Sequence, residues 1–235
     1  SLSLSLSLSL SLSLFLSLSL SLSHTQHTHT HTYSKIYITG SHLFDYVDKS
    51  PLFVATQAGH SHVVTYILDQ MGDRENVVDG PTKNGRTPLF IAAKKGYLSL
   101  VELLLAKGAQ LKHAQKKNGS TPLYVAAKKG QSFIVKLLLE KGAEVEIQRH
   151  SDGKTPLYVA AEEGREDIVI YLIQKKANVN ATCHNGTTPL WAACKGNRQP
   201  VIDVLLRHGA SSKELVKRNK KKQSRRRGGG KGMCE

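Results

Sequence analysis

Cysteine is scarce and irregularly placed in this chain: Cys183, Cys194 and Cys234 are the three present. An odd number without a regular spacing gives no disulfide framework, and points to a reducing, intracellular compartment, cytoplasmic or nuclear. Long apolar runs are missing too. A membrane span needs about 20 mainly apolar residues, and the Ser/Leu alternation of residues 1–22 puts Ser at half of its positions, so no membrane association is expected. Acidic residues are few, 18 Asp and Glu against 33 Lys and Arg, for a formal net charge of +15. Groupings that carry catalysis are also absent. The histidines are scattered, no carboxylate pair has a spacing suited to joint acid–base work, and Cys183-His184 stands alone. Gly228-Gly229-Gly230-Lys231 fails as a phosphate loop, since Gly232 stands where a Ser or Thr is needed. No enzyme activity, cofactor or metal is expected.

What the chain does contain is repetition. Thr121 to Ala143 reads TPLYVAAKKGQSFIVKLLLEKGA, and close copies run from Thr87 to Ala109, Thr155 to Ala177 and Thr188 to Ala210. A looser copy starts at Ser50. The anchoring prolines, Pro51, Pro88, Pro122, Pro156 and Pro189, are 37, 34, 34 and 33 residues apart. Self-similarity at this period marks a stacked array. Such an array is stabilised by neighbour interfaces, so five units are enough to fold as one monomeric body.

Each unit has a local physical reading. The Thr hydroxyl can accept hydrogen bonds from the first free N–H groups of a helix, and the following Pro suits the first turn, where no N–H is needed. An Ala pair such as Ala126-Ala127 lets neighbouring helices approach closely. The first helix ends at a glycine (Gly59, Gly96, Gly130, Gly164) able to turn left-handed. A second helix follows whose row Ile134, Val135, Leu137, Leu138 and Leu139 is apolar enough to be buried by neighbours on both sides. Asn84-Gly85, Asn118-Gly119, Asp152-Gly153 and Asn185-Gly186 precede the next Thr and favour a tight turn in a hairpin-like finger.

The phased TPLxxAAxxG…LLxxGA pattern with its Asn/Asp-Gly finger resembles the ankyrin repeat family over about Asp48 to Ala210. The resemblance implies an all-α repeat solenoid of helix-turn-helix units with fingers, five repeats starting near Ser50, Thr87, Thr121, Thr155 and Thr188. Residues 33–47 are a lead-in. Several positions depart from the pattern. Thr56 replaces the second Ala of the first copy, and Met71 stands at its usual Gly position. Lys176 replaces the glycine found at Gly108, Gly142 and Gly209, and staying left-handed there costs about 1 kcal/mol. In the fifth copy Asn197 takes the helix-ending position and Cys194 the second Ala, a small packed residue before it is a reactive thiol. The second helix of this copy, with Val201, Ile202, Val204, Leu205 and Leu206, is as apolar as the internal ones. A finishing repeat has a polar outer face, so either more repeats follow or the tail covers this end.

Both flanks are compositionally odd. Residues 1–32 read as translated dinucleotide-repeat DNA, repeated CT giving Leu-Ser and repeated CA giving His-Thr, from a fragmentary gene model. They are expected to be disordered and without function, and codon arithmetic accounts for His24, His27, His29 and His31 better than metal binding does. Residues 211–235 carry ten Lys or Arg against two Glu, a basic tail expected to be disordered. Its Lys217, Arg218, Lys220, Lys221, Lys222, Arg225, Arg226 and Arg227 read as a nuclear import signal or nucleic-acid contact, or as a solvated charged end.

The resemblance implies a protein partner lying across the finger tips and the exposed, concave face of the first helices. The residues before the helix-ending glycines fall there: Gln57-Ala58, Lys94-Lys95, Lys128-Lys129, Glu162-Glu163 and Lys195-Gly196. They form a basic strip over repeats two and three, then an acidic step. The strip reads as a groove for an acidic segment, or as cross-repeat pairing of Lys128 and Lys129 with Glu162 and Glu163, worth little if exposed. The aromatic residue after each TPL (Phe53, Phe90, Tyr124, Tyr158, Trp191) is expected to pack between neighbouring repeats. A protein-binding scaffold or adaptor is thus the first functional reading. The alternatives are a nuclear or nucleic-acid-associated regulator working through the tail, and the targeting part of a larger multidomain protein or enzyme.

Overall fold

The computed structural model describes residues 49–71, 78–115 and 117–212, which fall within a compact unit beginning at Lys49. They form helices α1 (Pro51–Ala58), α2 (Ser61–Met71), α3 (Pro88–Lys95), α4 (Leu98–Ala106) and α5 (Pro122–Lys129). Then come α6 (Ser132–Glu140), α7 (Pro156–Glu163), α8 (Glu166–Gln174), α9 (Pro189–Lys195) and α10 (Gln199–Arg207). Consecutive helices pair as repeats. The odd-numbered helices stack on one another in one layer and the even-numbered helices in a second.

Every first helix starts in the way its residues dictate. The hydroxyls of Ser50, Thr87, Thr121, Thr155 and Thr188 accept from the backbone N–H three residues on, at 3.1–3.3 Å, and Pro follows in the first turn. The caps of Thr87, Thr121 and Thr155 are buried, so each satisfies an N–H that water cannot reach. The Ala pairs lie wholly inside, with Ala92, Ala93, Ala126, Ala127, Ala160 and Ala161 at 0% exposure. The helix-ending glycine has a second duty besides its left-handed φ. A Cβ on Gly96 would fall 2.6 Å from the Gln131 side chain, and one on Gly164 would fall 2.7 Å from Arg198, because the next repeat lays a side chain across the turn.

Between the layers one leucine of each TPL (Leu89, Leu123, Leu157, Leu190) meets Leu100, Leu104, Ile134, Leu138, Ile168 and Leu172 of the second helices, all nearly or fully buried. Most of the α6 row is enclosed as expected, Leu137 remaining half-buried. In α10 the stack covers Val201, Val204 and Leu205, while Leu206 stays 48% exposed. The departures also find their places. Thr56 is fully buried, its hydroxyl donating to Leu52 O at 2.7 Å. Lys176 and Asn197 are left-handed, with φ 66° and 52°. Gly196 beside Asn197 is at φ −88°, so the turn of the fifth repeat is made by Asn, as counting from Thr188 predicts. The side chain of Met71, the lead-in, residues 1–32 and the tail from residue 213 lie outside the described residues.

The fingers differ from the tightest turn that Asn-Gly allows. Thr82 N–H bonds Arg86 O and Cys183 N–H bonds Thr187 O, each pair enclosing three residues. Gln115 with Ser120 and Arg149 with Lys154 enclose four. Only the glycine of each Asn/Asp-Gly pair has positive φ, 70–74°, which fits a type I turn closed by a left-handed residue. The longer loop accounts for the 34-residue spacings and the shorter for the 33 between Pro156 and Pro189. Neighbouring fingers are joined by Ser151 N–H to Asn118 O (3.3 Å) and His184 N–H to Asp152 O (2.9 Å), with no β-strand among the described residues.

Candidate partner-binding surface

The exposed face of the first helices is organised by two positions in each repeat: one two residues before the helix-starting Pro, the other six after it. In repeat one they are Lys49 and Gln57, joined by a 3.2 Å hydrogen bond. In repeat four they are Lys154 and Glu162, joined at 2.8 and 3.0 Å. In repeat two the same positions hold Arg86 and Lys94, two cations. Lys94 is half-buried, and its pKa is lowered, first by burial and then by repulsion from Arg86, Lys129 and Lys95. Arg86 is itself fixed: the buried Gln115 amide, with its oxygen turned to the guanidinium, accepts from Nε at 3.1 Å and Nη2 at 3.2 Å.

The other lysines of the strip, Lys95, Lys128 and Lys129, are exposed. Among the described residues, no carboxylate forms an ion pair with any of Lys94, Lys95, Lys128 and Lys129. Cross-repeat pairing of Lys128 and Lys129 with Glu162 and Glu163 is therefore not what the fold builds. Lys154, from the finger of the same repeat, takes Glu162 instead, at 2.8 and 3.0 Å. Repeat four is neutralised internally in a further way. Arg149 donates to Asp152 through Nε at 2.8 Å and also through Nη2. Burial acts to raise the Asp152 pKa, but the Arg149 bond, the Lys154 backbone N–H and both cations hold it below the usual carboxylate value. Glu163 is half-buried and Lys195 is exposed.

The aromatic row lies beneath this surface. Phe53, Phe90, Tyr124 and Tyr158 are 2–4% exposed, and Trp191 is half-buried. Tyr158 packs with Cys183 and Ala192 of the fifth repeat, and its hydroxyl lies 3.0 Å from Thr187 Oγ1, so this ring does bridge neighbouring repeats. Burial raises the Tyr158 pKa to about 12, against the lowering effect of Thr187. Cations roof several rings: Arg149 lies 5.1 Å from the Tyr124 centroid, Lys154 5.0 Å from Tyr158 and Lys195 5.3 Å from Trp191. At such distances the cation is attracted by the ring face. These rings are covered and do not present a ladder to a ligand.

A strip read only from residues before the helix-ending glycines omits Arg86, Arg149 and Lys154. Aligning the residue two before each Pro (Lys49, Arg86, Ser120, Lys154, Thr187) against the strip is the sequence signal that finds Arg86 and Lys154. Lys217, Arg218, Lys220, Lys221, Lys222, Arg225, Arg226 and Arg227 lie outside the described residues, as do His24, His27, His29 and His31. Among the described residues, no three His, Cys, Asp or Glu side chains are grouped to hold a metal ion. Cys194 is packed, and burial pushes its thiol pKa up. No helix among the described residues is long and apolar enough to cross a membrane.

A family model described as "Ankyrin repeats (3 copies)" matches residues 36–115, 111–183 and 147–219. Overlapping matches are what a tandem array gives, since successive repeats fit the same model in more than one phase. No curated protein matches the chain. Ankyrin repeats are in general protein–protein interaction modules and are typically non-enzymatic. With its capped helix pairs, its fingers and matches that together span most of its length, the chain belongs to the ankyrin repeat family.

Proposed function

We propose that this protein is a non-catalytic scaffold or adaptor, a monomeric array working inside the cell, that holds an acidic segment of a protein partner. The segment lies on the first-helix face of repeats two and three, where Arg86, Lys94, Lys95, Lys128 and Lys129 bind it. Glu162 and Glu163 bound the strip on one side, and Lys195 lies beyond them. One observation carries this reading. At the two positions where repeats one and four place attractive pairs, repeat two places two cations, Arg86 and Lys94, and the Lys94 pKa is lowered first by burial and then by repulsion from Arg86. A fold that has an attractive solution available and carries the repulsive one holds charge that an anionic ligand would neutralise. Unpaired cations of one sign also steer an acidic partner and set its register.

A fluorescent, end-capped oligoglutamate peptide tests this by anisotropy. Its affinity for the full chain should fall at least about tenfold with the double substitution K94E/K95E, the size expected when two charge contacts reverse sign. Unchanged affinity would sink the reading. If affinity survives K94E/K95E but disappears when residues 213–235 are deleted, the basic tail and not the strip holds the anion. The nucleic-acid alternative is then tested by whether affinity for a nucleic acid is lost with the same deletion and falls steeply with salt.

A further inference from the structure

The loops that follow the second helices are laced together by one recurring hydrogen bond. The Asp79 carboxylate accepts from Gln110 N–H at 3.0 and 3.1 Å, Glu146 Oε1 from Asn178 N–H at 2.8 Å, and Asn180 Oδ1 from Ser211 N–H at 2.7 Å. The register is constant. The donor directly follows the alanine that closes a repeat (Ala109, Ala177, Ala210), and Glu146 and Asn180 stand three residues after the closing alanine of the repeat before. This ties repeat one to two, three to four, and four to five.

Between repeats two and three the same register places Lys112 at the acceptor position and Glu144 N–H at the donor position. An ammonium has three donors and no acceptor. The rung is not made, and Glu144 N–H has no acceptor among the described residues. An open cleft of about 300 Å³ lies at this junction, lined in part by Leu111, Lys112, Leu123, Glu144 and Ile147.

We propose that this cleft binds a single carboxylate, the side chain of an Asp or Glu from a protein partner. The carboxylate supplies the acceptor that Asp79, Glu146 and Asn180 supply at the other junctions, bonding Glu144 N–H and pairing with the Lys112 ammonium. Leu111, Leu123 and Ile147 receive the aliphatic stem. The other polar groups set the ligand class. Gln110 N–H is already taken by Asp79, and the exposed Glu144 carboxylate disfavours a doubly charged phosphate over a singly charged carboxylate. The site is separate from the Lys94 strip, none of whose lysines lines it.

N-acetylglutamate amide, whose only charge is its side-chain carboxylate, is the probe, titrated at millimolar concentration into the isotope-labelled full chain. The expected result is a saturable shift of the Glu144 amide resonance. The shift should be absent with the glutamine analogue and lost in K112N, where Asn supplies the rung as Asn180 does one junction away. It should persist in K94E/K95E, which separates this site from the acidic-segment groove. No saturable shift, an equal shift in K112N, or loss of the shift in K94E/K95E would each overturn the proposal.

Discussion

Two glycines with the same left-handed backbone should respond very differently to a methyl group. Gly142, at φ 89°, closes α6 and has nothing within 4 Å of where a Cβ would stand. Gly153, at φ 70°, is in the third finger, and its Cβ would fall 2.9 Å from the backbone nitrogen of His184 and 2.5 Å from that residue's ring. Both alanine substitutions bear the left-handed penalty of roughly 1–2 kcal/mol, offset by roughly 0.4–1 kcal/mol from the stiffer unfolded chain. Gly142→Ala should therefore cost about 1 kcal/mol or less. At Gly153 the imidazole can swing away, but the His184 backbone cannot move without lengthening its 2.9 Å bond to Asp152 O. Overpacking adds roughly 1–3 kcal/mol, bringing Gly153→Ala to about 1–4 kcal/mol.

The bond at risk joins the fingers of repeats four and five, and Trp191, the only tryptophan, sits in repeat five. Denaturant unfolding followed both by tryptophan fluorescence and by circular dichroism can therefore locate the damage. For Gly153→Ala the fluorescence transition should move to lower denaturant than the helical one, as the last repeat detaches from the array. For Gly142→Ala both should move slightly and together. If Gly142→Ala is as harmful as Gly153→Ala, the finger-to-finger contact does not have the energetic weight assigned to it.

Two further outcomes test the electrostatics. Arg86→Gln should bring the Lys94 pKa back toward 10.5, read from the lysine side-chain NMR titration; an unmoved value would remove the like-charge contact from the argument. Asp152 has a folded pKa below its unfolded value, so the stability it contributes is present above the unfolded value of about 3.9 and disappears as pH falls through the folded one. Asp152→Asn should accordingly destabilise the protein near neutrality, with the gap to the parent closing below about pH 4; a gap independent of pH would show that the Arg149 pairing is not its source.

The helices, their caps and their order were written in the sequence because the signals are local. A Thr-Pro start needs only its own N–H three residues on, and a leucine row buried on both sides shows in its composition. Even Lys176 and Asn197 could be assigned left-handed geometry by counting from the repeat start. Other properties depend on residues that meet only after the repeats stack. Lys94 is conspicuous in sequence as half of a Lys-Lys pair, yet its significance comes from Arg86, which a cap and a finger fold back beside it. Glu162 looked like a partner for Lys128 or Lys129, and Lys154 of its own repeat holds it instead, at 2.8 and 3.0 Å. Lys112 is unremarkable in the linear chain. It becomes the missing acceptor only when the bonds at the other three junctions fix its register. The sequence by itself determined that the chain stands as an ankyrin stack, since local capping and periodic burial decide that. Tertiary structure decided which of its many cations are neutralised, since charge pairing depends on distances across repeats.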